Sequence, residues 1–130
     1  MVQSDELVFR AESASVPRAR HAVTGFARQH GVPSALLGGI ALAVSEACTN
    51  VVLHAYRMAR APGEFSVAVA LARDSFRVSV RDHGMGMSPH ADSPGIGLGL
   101  PIIASTANAF TVANCEGGGT ELRMRFDLTA

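Results

Sequence analysis

The 130-residue chain has no lysine: all 11 of its basic residues are arginine, balanced by 11 acidic residues to a net charge of zero. Any mechanism that needs a lysine amine is therefore excluded, and the arginine bias is read as compositional. A balanced chain also has no overall field to draw it to nucleic acid or to an anionic membrane surface, so neither is an expected partner. Cysteine is scarce. Cys48 and Cys115 are too few and too far apart for a zinc site or a disulfide framework, which suits a reducing, cytoplasmic setting. Long hydrophobic runs are missing too: Ala35 to Val44 is interrupted by two glycines and falls short of the roughly 18 residues of a membrane span. The N-terminus has neither a basic region nor an apolar signal core, so the mature chain is expected to start here. Neither repeats nor low-complexity linkers occur. With 48% hydrophobic residues, the composition fits one domain over residues 1–130, able to bury a core without covalent staples.

Within that frame the hydrophobic periodicity is clear. Leu7 to Ala11 reads as a strand. Ser13 or Ser15 with Pro17 signals the start of a helix over Val16 to His30, which Gly31 can end. Pro33 opens a second helix, because Leu36, Leu37, Ile40, Ala41, Val44, Ala47, Cys48, Val51 and Val52 recur at helical spacing through Tyr56. Pro62-Gly63 breaks the pattern. Phe65, Val67, Val69, Leu71 and then Phe76, Val78, Val80 alternate around Arg73-Asp74-Ser75, which predicts a β-hairpin. Residues 83 to 99 form a glycine- and proline-rich loop. Leu100 to Ala109 has helical composition, with Pro101 suited to a first turn. Strands over Phe110 to Cys115 and Thr120 to Leu128 flank Glu116-Gly117-Gly118-Gly119. The order β α α β β loop α β β predicts an α+β two-layer sandwich, a mostly antiparallel sheet under three helices.

Three groups of residues stand out against this scaffold. Glu46 and Asn50, one helical turn and about 6 Å apart, project from one face of an otherwise apolar helix. Burying an amide without partners costs on the order of 2–7 kcal/mol, and an isolated carboxylate more, so both should face a polar cleft, a metal or a ligand. Asp82 ends a strand and opens a DxGxG pattern, Asp82-His83-Gly84-Met85-Gly86. A carboxylate there can accept a hydrogen bond from an exocyclic amine, while glycines let backbone approach a flat ligand. Gly95, Gly97 and Gly99, with Leu98 between them, run into a helix start whose free N–H groups and positive dipole end suit a polyphosphate. GIGLGL lacks the GxGxxG spacing of a dinucleotide fold, and the lysine of a P-loop is absent.

ExxxN on a helix, then DxGxG, then GxGLGL opening a helix, then GGGT before a last strand: this ordered set resembles the GHKL ATPase superfamily, and the helix motif SEAxTNxxxHxY resembles that of the anti-sigma factor serine kinases. The resemblance covers nearly the whole chain. It implies the ATP-binding Bergerat fold, with ATP and Mg2+ bound in its cleft. It implies Asn50 as the magnesium ligand and Glu46 as the general base. Asp82 takes the place of the adenine-amino acceptor, supported by Thr120 of the GGGT turn directly or through water. Gly84 and Gly86 line the purine pocket, and Gly95, Gly97, Leu98 and Gly99 form the lid hinge and phosphate cradle. The implied activity is phosphorylation of a serine or threonine on a STAS-type anti-sigma factor antagonist, with a sigma factor or analogous regulator as second partner and a homodimer as the assembly. His54 reads as a satisfied structural histidine and His83 as a pocket-edge residue. Met85 and Met87 either pack on the purine or fill the loop, and Arg20 either meets the sigma factor or is solvated. One departure matters: Met87 to Pro94 is shorter than the better-known lids and has no arginine or lysine, and His90 is a weak substitute. That favours the alternative of a nucleotide-binding regulatory module with little phosphotransfer.

Overall fold

A computed structural model describes residues 3–56, 63–84 and 96–128. Alternation along the strands sets its layers. In β3 (Ser75–Asp82), Phe76, Val78, Val80 and Asp82 turn inward while Arg77, Ser79 and Arg81 turn outward. In β5 (Thr120–Asp127), Thr120, Leu122, Met124 and Phe126 are inward and Arg123 and Arg125 outward. With β1 (Gln3–Arg10), β2 (Glu64–Leu71) and β4 (Ala109–Asn114) they form a five-stranded, wholly antiparallel sheet in the order β1-β2-β3-β5-β4. The register pairs Val67 with Val80 and Val80 with Leu122, so one apolar row crosses three strands.

Three helices cover the inward face. Helix α1 (Ser15–Gln29) buries Ala19, Val23 and Ala27 at four-residue spacing, and Gly31, at φ +87°, turns the chain out of it. Helix α2 (Ser34–Asn50) packs between α1 and α3 (Ile96–Thr106). It buries Ile40, Ala43, Val44, Ala47 and Cys48. Phe65, Phe76, Ile103 and Met124 complete the interior, and each large side chain so buried contributes about 1.5–3 kcal/mol. Phe26 stacks on Phe76 across the layers, ring centroids 6.2 Å apart.

The predicted sandwich is present, with three shifts of detail. Strand β1 begins at Gln3 rather than Leu7; it is an edge strand whose outer half is held by backbone pairing with β2 rather than by burial. The second helix is not α-helical to its end: Val51–Ala55 form a π turn. The last helix begins at Ile96, four residues before the expected start, so Gly97 and Gly99 lie inside its first turn and Pro101 lies in its second. The ring of Pro101 removes one i→i−4 bond there. Among the described residues one helical stretch, Ser34–Ala55, is long and apolar enough by composition to cross a membrane, and it is the central core helix of the sandwich.

Candidate functional site

The end of α2 and its π turn, the end of β3 and the β4–β5 turn meet at one edge of the sandwich. Their meeting depends on glycine. A Cβ added at Gly84 would lie 2.0 Å from the Ala55 carbonyl oxygen, so the π turn packs directly on backbone there. Across from it, Gly117, Gly118 and Gly119 all have positive φ, at +86°, +107° and +94°. A Cβ on Gly119 would fall 2.0 Å from the Asp82 carbonyl oxygen. The predicted DxG and GGGT segments are therefore in van der Waals contact.

Asp82 sits at their junction, 6% exposed. Its Oδ1 accepts the Gly84 N–H at 2.9 Å, and the backbone of Thr120 supplies a second hydrogen bond. Burial raises the pKa of this carboxyl above the ordinary carboxylate value, opposed by the Gly84 and Thr120 hydrogen bonds and by the nearby His83. Such a group is fixed in place and poorly solvated, which is what an acceptor for one N–H donor of a ligand requires. The sequence expectation that Thr120 supports Asp82 directly or through water resolves into direct backbone contact.

On α2, Asn50 is 7% exposed, and its carboxamide Nδ2 has no hydrogen-bond partner. An orphaned buried amide donor is costly and uncommon. Glu46, one turn earlier, is half-buried. No group of three or more His, Cys, Asp or Glu able to hold a metal occurs among the described residues. A hard cation at this site would thus rest on the carboxamide of Asn50 and on oxygens of the ligand itself, a donor set that suits magnesium.

Other expectations change. His54 is not the satisfied structural histidine expected from the helix motif, because its Nδ1 is buried without a partner. Arg20 is neither plainly solvated nor free: its guanidinium donates to Ser45 Oγ at 3.3 Å, bracing α1 against α2 beside Glu46. Gly97, Leu98 and Gly99 lie on the first turn of α3, which packs along α2. Gly86 and Gly95, with Met85, Met87 and His90, lie outside the described residues. A shallow groove of about 770 Å³ crosses the outer face of the sheet, lined by Ser4, Glu6, Ala70, Arg77, Ser79 and Arg123 among others, and none of the predicted site residues lines it.

One contact at this edge was not read from the sequence. Tyr56, the only tyrosine of the chain, donates its hydroxyl hydrogen to the Glu64 carbonyl and accepts the His83 N–H at 2.8 Å. Gly63 makes room for the ring, since a Cβ there would lie 2.3 Å from ring carbons. The signal was a lone tyrosine at the helix end with a glycine shortly before the next strand.

Residues 9–126 match the model of the histidine kinase-like ATPase domain. The chain belongs to this family. Among relatives of this ATPase domain, the serine-protein kinase RsbW of Bacillus mycoides is 27% identical over 127 residues, covering 86% of this chain and 78% of the relative. The anti-sigma F factor of Clostridium acetobutylicum is 27% identical over 131 residues, covering 92% of this chain and 90% of that protein. The fold is shared with a crystal structure of RsbU and RsbW domains from Mycobacterium tuberculosis, at a TM-score of 0.76 and 22% identity, over 98% of this chain and 33% of that longer one. A histidine kinase-like ATPase domain with kinase relatives implies the use of ATP.

Proposed function

We propose that this chain is one ATP-binding domain that acts as an ATP-dependent protein serine/threonine kinase and anti-sigma factor. The observation that carries the reading is the junction of a buried Asp82, held by the Gly84 and Thr120 backbones, with a helix that buries the unpartnered Asn50. The kinase and anti-sigma relatives, which extend over most of the chain, agree with it. In this reading Asp82 accepts a hydrogen bond from the adenine amino group, and the backbone at Gly84, with Gly86, lies against the purine. Free N–H groups at the start of α3, where Gly97, Leu98 and Gly99 follow Gly95, receive the phosphates. Asn50 would hold Mg2+, which would offset the charge on the phosphates. Glu46 takes the proton of an attacking serine or threonine hydroxyl, whose oxygen bonds to the γ-phosphorus as ADP leaves.

The acceptor is a STAS-type anti-sigma factor antagonist, and a sigma factor or analogous regulator is the alternative partner, so that phosphorylation switches which one is held. A homodimer in the cytoplasm goes with this reading. The test is intact mass spectrometry of such an antagonist after incubation with the protein, magnesium and ATP, with Glu46→Ala in parallel. Transfer that disappears in the variant is the expected result, and transfer that persists removes Glu46 from the role of base. Tight ATP binding with no transfer points to a nucleotide-gated binding module, the reading favoured by the lack of arginine and lysine between Met87 and Pro94.

A further inference from the structure

Tyr56 joins three backbone segments, the end of the π turn, the start of β2 and the end of β3. It stands where the π turn ends. Its hydroxyl bridges the first carbonyl of β2, at Glu64, and the N–H of His83. Its ring lies against Gly63, whose carbonyl in turn accepts the Ala11 N–H at 2.8 Å. The contact to His83 is the informative one. His83 lies between Asp82 and Gly84, and the next N–H along, that of Gly84, is the one that holds Asp82 Oδ1. Two consecutive N–H groups are thus directed to two different acceptors, one to the helix through Tyr56 and one to the Asp82 carboxylate. This arrangement fixes the plane of the peptide that aims Asp82.

We infer that Tyr56 is the positioning residue for base selectivity, its hydroxyl orienting the Asp82–His83 peptide so that Asp82 meets the exocyclic amine of adenine. The inference rests on the reading of Asp82 as the adenine acceptor. It adds a link from the end of the helix that carries Glu46 and Asn50 to the base-recognising carboxylate.

Tyr56→Phe keeps the ring on Gly63 and removes only the oxygen. Both groups that lose their partner sit in an exposed environment where water replaces it, so the variant folds. The experiment measures dissociation constants by calorimetry for ATP and for inosine triphosphate, which lacks the amino group, with magnesium present. Wild type, Tyr56→Phe and Asp82→Asn are compared, with melting temperatures alongside. Expected are a wild-type preference for ATP of at least tenfold, its loss in Asp82→Asn, and a fall of about three- to tenfold in Tyr56→Phe, the size of one hydrogen bond. A Tyr56→Phe protein that weakens both nucleotides equally, or neither, while Asp82→Asn abolishes the preference, overturns the positioning role and leaves Asp82 standing. A wild type without preference, or an Asp82→Asn variant that keeps it, overturns the Asp82 reading and this inference with it.

Discussion

Gly119→Ala compared with Gly117→Ala isolates the contact on which the site depends. Both glycines have left-handed backbone, at φ +94° and +86°, so each alanine carries the same intrinsic penalty of about 1–2 kcal/mol. Their surroundings differ. A Cβ on Gly117 meets nothing within 4 Å, whereas one on Gly119 falls 2.0 Å from the Asp82 carbonyl oxygen. Ordinary contact begins near 3.4 Å, so β3 and the turn must separate by about 1.4 Å, backbone against backbone. With both strands paired along their length, that displacement raises the total to roughly 3–5 kcal/mol. At about 3–5 °C per kcal/mol for a chain of this size, Gly117→Ala lowers the melting temperature by about 3–10 °C and Gly119→Ala by about 9–25 °C. The separation also pulls Thr120 off Asp82, so ATP binding falls at least tenfold in Gly119→Ala and is unchanged in Gly117→Ala. Thermal melts followed by circular dichroism, with calorimetric titration of ATP, check both parts. Equal melting temperatures and equal ATP affinities in the two variants would refute the argument that the GGGT turn is packed against Asp82.

Asn50→Ala removes a buried donor that has no partner, which offsets the packing lost. The melting temperature therefore stays within a few degrees of wild type while magnesium-dependent ATP binding drops tenfold or more; a loss of more than about 2 kcal/mol in stability would make Asn50 a structural residue instead. The Cys48 thiol is fully buried, and desolvation pushes its pKa up to about 12, so at pH 8 only about one molecule in ten thousand carries the reactive thiolate. A disulfide-exchange reagent should modify one thiol, Cys115, in the native protein and the second only after denaturation. Equal rates at both cysteines would show that α2 opens on the labelling timescale.

Glu46→Ala and Tyr56→Phe divide the site between them. The first is expected to remove phosphotransfer and spare binding, the second to spare transfer chemistry and blunt the choice of base. The two effects are separable because Glu46 lies about a turn and a half before the π segment and Tyr56 directly after it.

What the chain determined locally was the elements and their order. Period-two alternation in Phe76, Val78, Val80 and again in Leu122, Met124, Phe126 allows only one face of each strand to be buried. Helical spacing from Leu36 to Val52 allows only one stripe of the central helix to pack. The polar residues that break those patterns, Glu46, Asn50 and Asp82, were legible because an unpaired amide or carboxylate in an apolar element costs too much to be incidental. Local pattern could not supply what depends on contact between segments distant in sequence. Periodicity reads a π turn as helix, since widening one turn leaves the apolar stripe intact. The glycines of the lid box read as loop, although tertiary packing along α2 draws Gly97 and Gly99 into the first turn of α3. Nothing near Gly119 in sequence says that its missing Cβ is the space taken by the Asp82 carbonyl, and nothing near Tyr56 says that its hydroxyl holds the backbone of His83. Those contacts join residues 27 or more positions apart, and only the closing of the sheet against α2 brings them together.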